Sequence, residues 1–141
     1  MIFGRFSLIF PRLFELDPRK SRISCFSPPP KAHAGLPRVL RRFEFSALLA
    51  CRLETGRTHQ IRVHLTSIGH PVIGDPQYGK SPLKQLSGIT TELSQTLTNF
   101  KRQALHAEIL GFEHPVSGEW LEFKAPFPDD YKILLKAIQH D

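Results

Sequence analysis

One stretch limits what this chain can become. From Phe43 to Glu54 the residues alternate, with Phe43, Phe45, Ala47, Leu49, Cys51 and Leu53 on one side. That is the period of a β-strand. Leu48 and Ala50 on the other side predict that both faces are partly covered. Thr55-Gly56-Arg57-Thr58 then reads as a turn, with Gly56 supplying backbone freedom and Thr58 able to cap a helix. Ile61, Leu65 and Ile68 recur at helical spacing with Val63 beside them, and Gly69 stands where such a helix would end. A strand, a turn and a helix over Thr58–Ser67 follow from these residues.

The turn and the helix start carry the densest run of cationic and hydrogen-bonding side chains in the sequence: Arg57, Thr58, His59, Gln60, Arg62 and His64. A strand-to-helix turn offers backbone N–H groups and the positive end of a helix dipole to a phosphate. Gln60 and His64 are four apart and share a helix face. Arg62 lies two positions from each and points elsewhere, flanked by His59 and Thr66. Its planar guanidinium suits a carboxylate or a phosphate. Taken singly, one arginine on such a helix is more often a solvated surface charge.

The rest of the chain supplies strands and helices around this unit. His70 to Lys80 reads as a loop with a short strand at Val72-Ile73 and a turn at Gly74-Asp75-Pro76. Asp75 is expected to cap that turn rather than to do chemistry, and Tyr78 to close the loop. Ser81 to Phe100 is polar, with Leu93 and Leu97 at helical spacing, and reads as a surface insertion holding one short helix. Gln103–Phe112 and Glu119–Lys124 predict two strands joined by the His114–Gly118 turn. Leu105, Ala107 and Ile109 share one face of the first, His106 and Glu108 the other, and Trp120 reads as a packing anchor. Asp129 or Asp130 is expected to cap a last helix, Tyr131 to Gln139, with Ile133, Leu134, Ala137 and Ile138 inward. The layout is α+β, a mixed and mostly antiparallel sheet with packed helices.

The first 42 residues are harder to read. Met1 to Phe14 is apolar but broken by Arg5, Pro11 and Arg12. It is too short to span a membrane as a helix and lacks a signal-peptide cleavage site. It reads as a strand that has lost its partner, or as non-native sequence, ahead of a weak mitochondrial presequence. Leu16 to Arg42 holds Pro18, Pro28-Pro29-Pro30 and Pro37 and reads as an extended arm with polyproline character. Val39 to Arg42 keeps a strand, which Pro37 shortens or confines to an edge. The expected division is an irregular basic arm over 1–42 and a folded domain over 43–141.

Composition narrows the partners. Of the 141 residues 40% are hydrophobic and 23% charged, near ordinary globular values, and a net charge of +6 points toward polyanions. Two cysteines form no disulfide framework, and a reducing cytoplasm is the natural reading, with Cys51 a small buried hydrophobe. Seven histidines raise the question of metal, but none has the spacing and cysteine partners of a zinc site.

GRTHQIRVH, then HPVIGDPQYG, then RQALHAEI with HPVSGEWLEFKAP resembles the C-terminal half of the RluA/RluD class of RNA pseudouridine synthases. The resemblance runs from about Phe43 to Ala137, with a weaker trace at Asp17 to Arg22. It implies a long mixed sheet with an RNA cleft across it, about half of which would be present here, leaving one edge bare. It also implies isomerisation of uridine in structured RNA, ribosomal first and transfer RNA as the alternative, with no metal and no organic cofactor. On it, Arg62 is the arginine that pairs with the catalytic aspartate, and Leu105 lines the pocket. Arg57, Thr58, His59, Gln60 and His64 fall to RNA binding. No HRLDxxTSG-type stretch occurs in these 141 residues, and the block with the active-site tyrosine is also missing. The nearest string is Glu15-Leu16-Asp17-Pro18. Arg62 is therefore expected to face an empty place or a phosphate. Three readings follow: a synthase fragment that acts only with its N-terminal half, a non-catalytic basic RNA-binding module, or an inactive remnant.

Overall fold

The computed structural model describes residues 2–11, 38–53, 58–79 and 88–140. Its strands are β1 (Ile2–Pro11), β2 (Arg38–Arg42), β3 (Ser46–Leu53), β4 (Leu105–Glu113) and β5 (Trp120–Lys124). Its helices are α1 (Gln60–Ser67), α2 (Thr91–Asn99) and α3 (Asp129–His140). The strands form a five-stranded sheet in the order β2-β3-β1-β4-β5. Every one of the four pairings is antiparallel. The α+β architecture is as expected.

The centre of the sheet is β1, in the segment read as a strand without a partner. It has two: β3, with Leu8 opposite Leu49, and β4, with Leu8 opposite Leu105. Ser7, Leu8 and Ile9 are all 0% exposed. Successive strand residues point to opposite faces, so both faces are covered there. Leu8 and Ile9 each contribute about 1.5–3 kcal/mol by leaving water. With β2 also paired, to β3, the stretch expected to be an irregular arm supplies two of the five strands. The sequence signal was the run of β-favouring Ile, Phe and Leu residues, which Arg5 and Pro11 obscured. Pro37 and the polyproline run lie outside the described residues.

The alternation over β3 holds: Ala47, Leu49 and Cys51 are buried and the residues between them are less so. In α2, Thr90 accepts a hydrogen bond from the Leu93 amide at 3.3 Å, and Leu93 and Leu97 join the core. That part of the expected surface insertion is a packed helix, while 80–87 lie outside the described residues. The β4–β5 hairpin and α3 form where expected. In α3 the inward stripe is Tyr131, Leu134, Ala137 and Ile138, whereas Ile133 is 61% exposed. Tyr131 takes the place assigned to Ile133 because its ring stacks on Phe127 at 4.9 Å and an interplanar angle of 7°. Asp129 and Asp130 begin the helix rather than precede it.

The short strand expected at Val72-Ile73 is irregular chain. It is nonetheless fixed, because the Ile73 amide donates to Ile9 O at 2.9 Å and Ile73 O accepts from the Ala104 amide at 2.7 Å. Ile9 N closes the triangle by donating to Ala104 O at 3.0 Å. The loop after α1 is thus anchored to the central strand. Among the described residues no helix is long and apolar enough to cross a membrane.

Candidate functional site

The site is built by α1 and the loop that follows it. The helix starts at Gln60, two residues after the Thr58 that the sequence suggested. His59, not Thr58, is the N-cap, with φ 51° and ψ 26° and no side-chain cap. A left-handed backbone is uncommon outside glycine. Here it is supported by the His59 ring, whose Nδ1 lies 3.1 Å from the Tyr78 hydroxyl, the two rings meeting edge-on at 5.7 Å.

The other end of α1 stops as the sequence said it would. Gly69 takes φ 83°, its amide donates to Thr66 O at 3.0 Å, and the His70 amide donates to Leu65 O at 2.8 Å. This is a Schellman ending with glycine just past the cap. The chain then dives into the core through Val72 and Ile73 and turns at Gly74, where φ is 73°. A Cβ at Gly74 would also collide with the Arg102 carbonyl.

That turn delivers Asp75 to Arg62. Arg62 Nε donates to Asp75 Oδ2 at 2.7 Å and Nη2 donates to Oδ1 at 2.8 Å. Oδ1 also accepts from the amides of Gln77 at 3.0 Å and Tyr78 at 3.1 Å. Both partners are buried, Arg62 being 8% and Asp75 3% exposed. The Arg62 guanidinium carbon stands 5.0 Å from the centre of the Tyr78 ring, a cation–π distance. Burial alone would push the Asp75 carboxyl up. The hydrogen bonds from Arg62, Tyr78 and Gln77, with the charge of Arg62, outweigh it and hold the carboxyl below the usual carboxylate range. The same pairing raises Arg62, against the opposing effect of burial.

Two expectations meet here. Asp75 caps its turn, as read, and Tyr78 closes the loop onto α1. Arg62, however, does not face an empty place or a phosphate: its guanidinium is engaged fork to fork by a carboxylate of this chain. The sequence showed both residues but gave no reason to join them across 13 positions. The usable signal was Gly74-Asp75 followed by two amides aimed back at the aspartate. That is an arrangement that leaves one carboxylate edge for a guanidinium.

The other predicted residues fall as follows. Thr58 and His59 are exposed at the start of α1, and Gln60 is half-buried on its first turn. His64 is half-buried with its Nε2 in the interior and unpartnered, and burial lowers its pKa, so the ring is held neutral at pH 7. Leu105 begins β4 and packs against the core. Arg57 lies outside the described residues, as does Asp17. Among the described residues no group of three or more His, Cys, Asp or Glu side chains is placed to hold a metal ion.

No family model matches the chain. Curated relatives do. The chain is 52% identical over 104 residues to ribosomal large subunit pseudouridine synthase D of Xanthomonas campestris pv. campestris, a match covering 74% of this chain and 31% of the relative. It is 49% identical over 104 residues to the protein of that name from Pasteurella multocida, covering 74% and 32%. Among solved structures, human RNA pseudouridylate synthase domain containing 4 superposes with a TM-score of 0.60 at 18% identity, over 97% of this chain and 62% of that one. Human RNA pseudouridylate synthase domain containing 1 gives 0.54 at 21% identity, over 90% and 55%. At these identities the structures show the fold alone. The chain spans about a third of the length of the curated relatives it matches, and it corresponds to part of a pseudouridine synthase of the RluA/RluD class.

Proposed function

We propose that this chain is the RNA-holding part of a pseudouridine synthase acting on structured RNA, ribosomal RNA first, and that it does not isomerise uridine by itself. The observation that carries the reading is the 52% identity over 104 residues to a ribosomal large subunit pseudouridine synthase. The net charge of +6 supports a polyanionic partner. A base inside folded RNA must leave its stack before chemistry, at a cost of a few kcal/mol met by contacts to backbone and base. Thr58, His59 and Gln60, at the start of α1, are the groups offered to that task, and Arg57 joins them from the sequence. Arg62 takes a positioning role: fixed by Asp75 and Tyr78, it holds the loop against α1. The isomerisation needs an aspartate of the HRLD type, and these 141 residues carry no such stretch. On this reading the missing group comes from the N-terminal half of a synthase, and the working compartment is the cytoplasm.

A non-catalytic RNA-binding module is the second reading, favoured by one observation. The arginine assigned to the catalytic aspartate already has a carboxylate partner at 2.7 Å. Two assays on the full chain separate the readings. Ribosomal RNA carrying tritium at uridine C5 releases no label with this chain alone, and releases it when the N-terminal half of a class member is added. Filter binding of the same RNA weakens steeply between 50 and 200 mM salt, roughly in proportion to the phosphates contacted. Label release by the chain alone contradicts the proposal. Release that never appears with the added half leaves the RNA-binding module as the better account, and absent binding at low salt removes both.

A further inference from the structure

His59 is exposed, yet its ring is held in place. Backbone and side chain are both committed. The backbone sits in the left-handed region at φ 51°, which sets the direction in which the side chain leaves the chain. The ring stands at the cap position of α1 but makes no cap hydrogen bond to the helix. It turns instead to Tyr78, with Nδ1 3.1 Å from the hydroxyl.

Tyr78 is fixed from the interior. Its amide donates to Asp75 Oδ1 at 3.1 Å, and its ring centre lies 5.0 Å from the Arg62 guanidinium carbon. Asp75 and Arg62 are both buried. The hydroxyl serves neither of these two contacts, so the packing of the loop does not explain it. What it meets is the ring of His59, at the exposed start of α1.

The two nitrogens of an imidazole lie on different edges of the ring. The hydrogen bond made by one of them decides which carries the proton when the ring is neutral. A phenol that donates to Nδ1 leaves the proton on Nε2, which is then a donor. Phosphate and base carbonyl oxygens only accept. An exposed ring that is already held still offers such an oxygen a donor with little left to order on binding.

We propose that Tyr78 is a positioning residue for RNA binding: its hydroxyl donates to His59 Nδ1 and so presents His59 Nε2–H to an acceptor oxygen of the RNA. This rests on the RNA reading above and adds to it a residue that acts on the RNA only through His59.

The test has one arm without RNA and one with it. In the first, the full chain carries ¹⁵N at histidine and is held at about pH 8.5, about two units above the ordinary histidine pKa. Two-bond ¹H–¹⁵N spectra identify His59 by the signals lost in His59→Gly, a change that suits the left-handed backbone. Wild type shows the Nε2–H tautomer at His59, and Tyr78→Phe lets the Nδ1–H form appear beside it. An Nδ1–H ring in wild type, or a spectrum unchanged in Tyr78→Phe, overturns the proposal.

In the second arm, filter binding of ribosomal RNA at about 50 mM salt compares wild type, Tyr78→Phe, His59→Gly and the double variant. Tyr78→Phe keeps the ring beside Arg62, so its urea midpoint stays near that of wild type. It weakens RNA binding roughly three- to tenfold, the scale of one hydrogen bond, and has no further effect once His59→Gly has removed the imidazole. A loss of the same size in both backgrounds would make Tyr78 an RNA contact itself and overturns the positioning role, as does binding unchanged in Tyr78→Phe. Wild type that binds no RNA while its His59 spectrum is as expected keeps the held ring and overturns the RNA reading, together with this use of it.

Discussion

Arg62 on α1 and Asp75 in the following loop meet through two hydrogen bonds of 2.7 and 2.8 Å, away from solvent. The pair does more than neutralise a charge. It joins the helix to a loop whose next residues, Gln77 and Tyr78, point their amides at the same carboxylate. Tyr78 then reaches back over the guanidinium and to His59. Helix start, guanidinium and loop are one connected unit.

The unit should be acid-sensitive. The Asp75 carboxyl titrates below its ordinary value in the folded chain, although burial opposes this, because Arg62 and two amides hold the ionised form. A depressed carboxylate contributes stability that is fully present above about pH 4 and is lost as pH falls through the native value. Urea midpoints measured from pH 7 to pH 3 should fall steeply below about pH 4 in wild type. In Asp75→Asn the chain starts less stable and this part of the slope flattens. Parallel curves for the two proteins would show that Asp75 titrates normally.

Gly74 should not tolerate a side chain. Its φ of 73° disfavours any L-residue, and a Cβ would meet the Arg102 carbonyl, a backbone atom that cannot swing away. Gly74→Ala should cost about 1–3 kcal/mol, the usual scale of such backbone strain, read as a lower urea midpoint. A midpoint within error of wild type would mean that the turn is made differently.

Arg102 and Asp130 are the contrasting pair. Their geometry is as good, at 2.7 and 2.8 Å, but the side chains are 38% and 47% exposed. Solvent screening leaves such a bridge about 0–1 kcal/mol. Arg102→Ala should therefore leave the urea midpoint nearly unchanged. A loss as large as that from Asp75→Ala would mean that geometry, not burial, sets these energies.

The sequence made parts of this legible and hid others for physical reasons. The period-two run of β3, the Gly69 helix stop and the Leu93–Leu97 spacing are local signals, and each element forms, although β3 begins at Ser46 rather than Phe43 and α1 at Gln60 rather than Thr58. β1 was obscured because its partners are more than 30 residues away and Arg5 and Pro11 interrupt its apolar run. Its place in the sheet is set by pairing to β3 and β4, which no local pattern records. The cap at His59 rather than Thr58 depends on a contact with Tyr78, 19 positions along the chain. The same holds for the partner of Arg62. A forked cation advertises that it wants an oxyanion, but the fold decides which one.

A double-mutant cycle on Arg62 and Asp75 tests the central structural claim most directly. Asp75→Ala alone should cost about 3–5 kcal/mol, since it leaves a buried guanidinium without its counter-charge. Once Arg62→Met has removed that charge, the same change should cost at least about 1 kcal/mol less, within the range of coupling seen for residues in contact. Urea unfolding of wild type, Arg62→Met, Asp75→Ala and the double variant supplies the four numbers. Non-additivity of that size is the predicted result. Effects that simply add, within about 0.3–0.5 kcal/mol, would mean that the two side chains do not hold each other, and the site would have to be rebuilt without them.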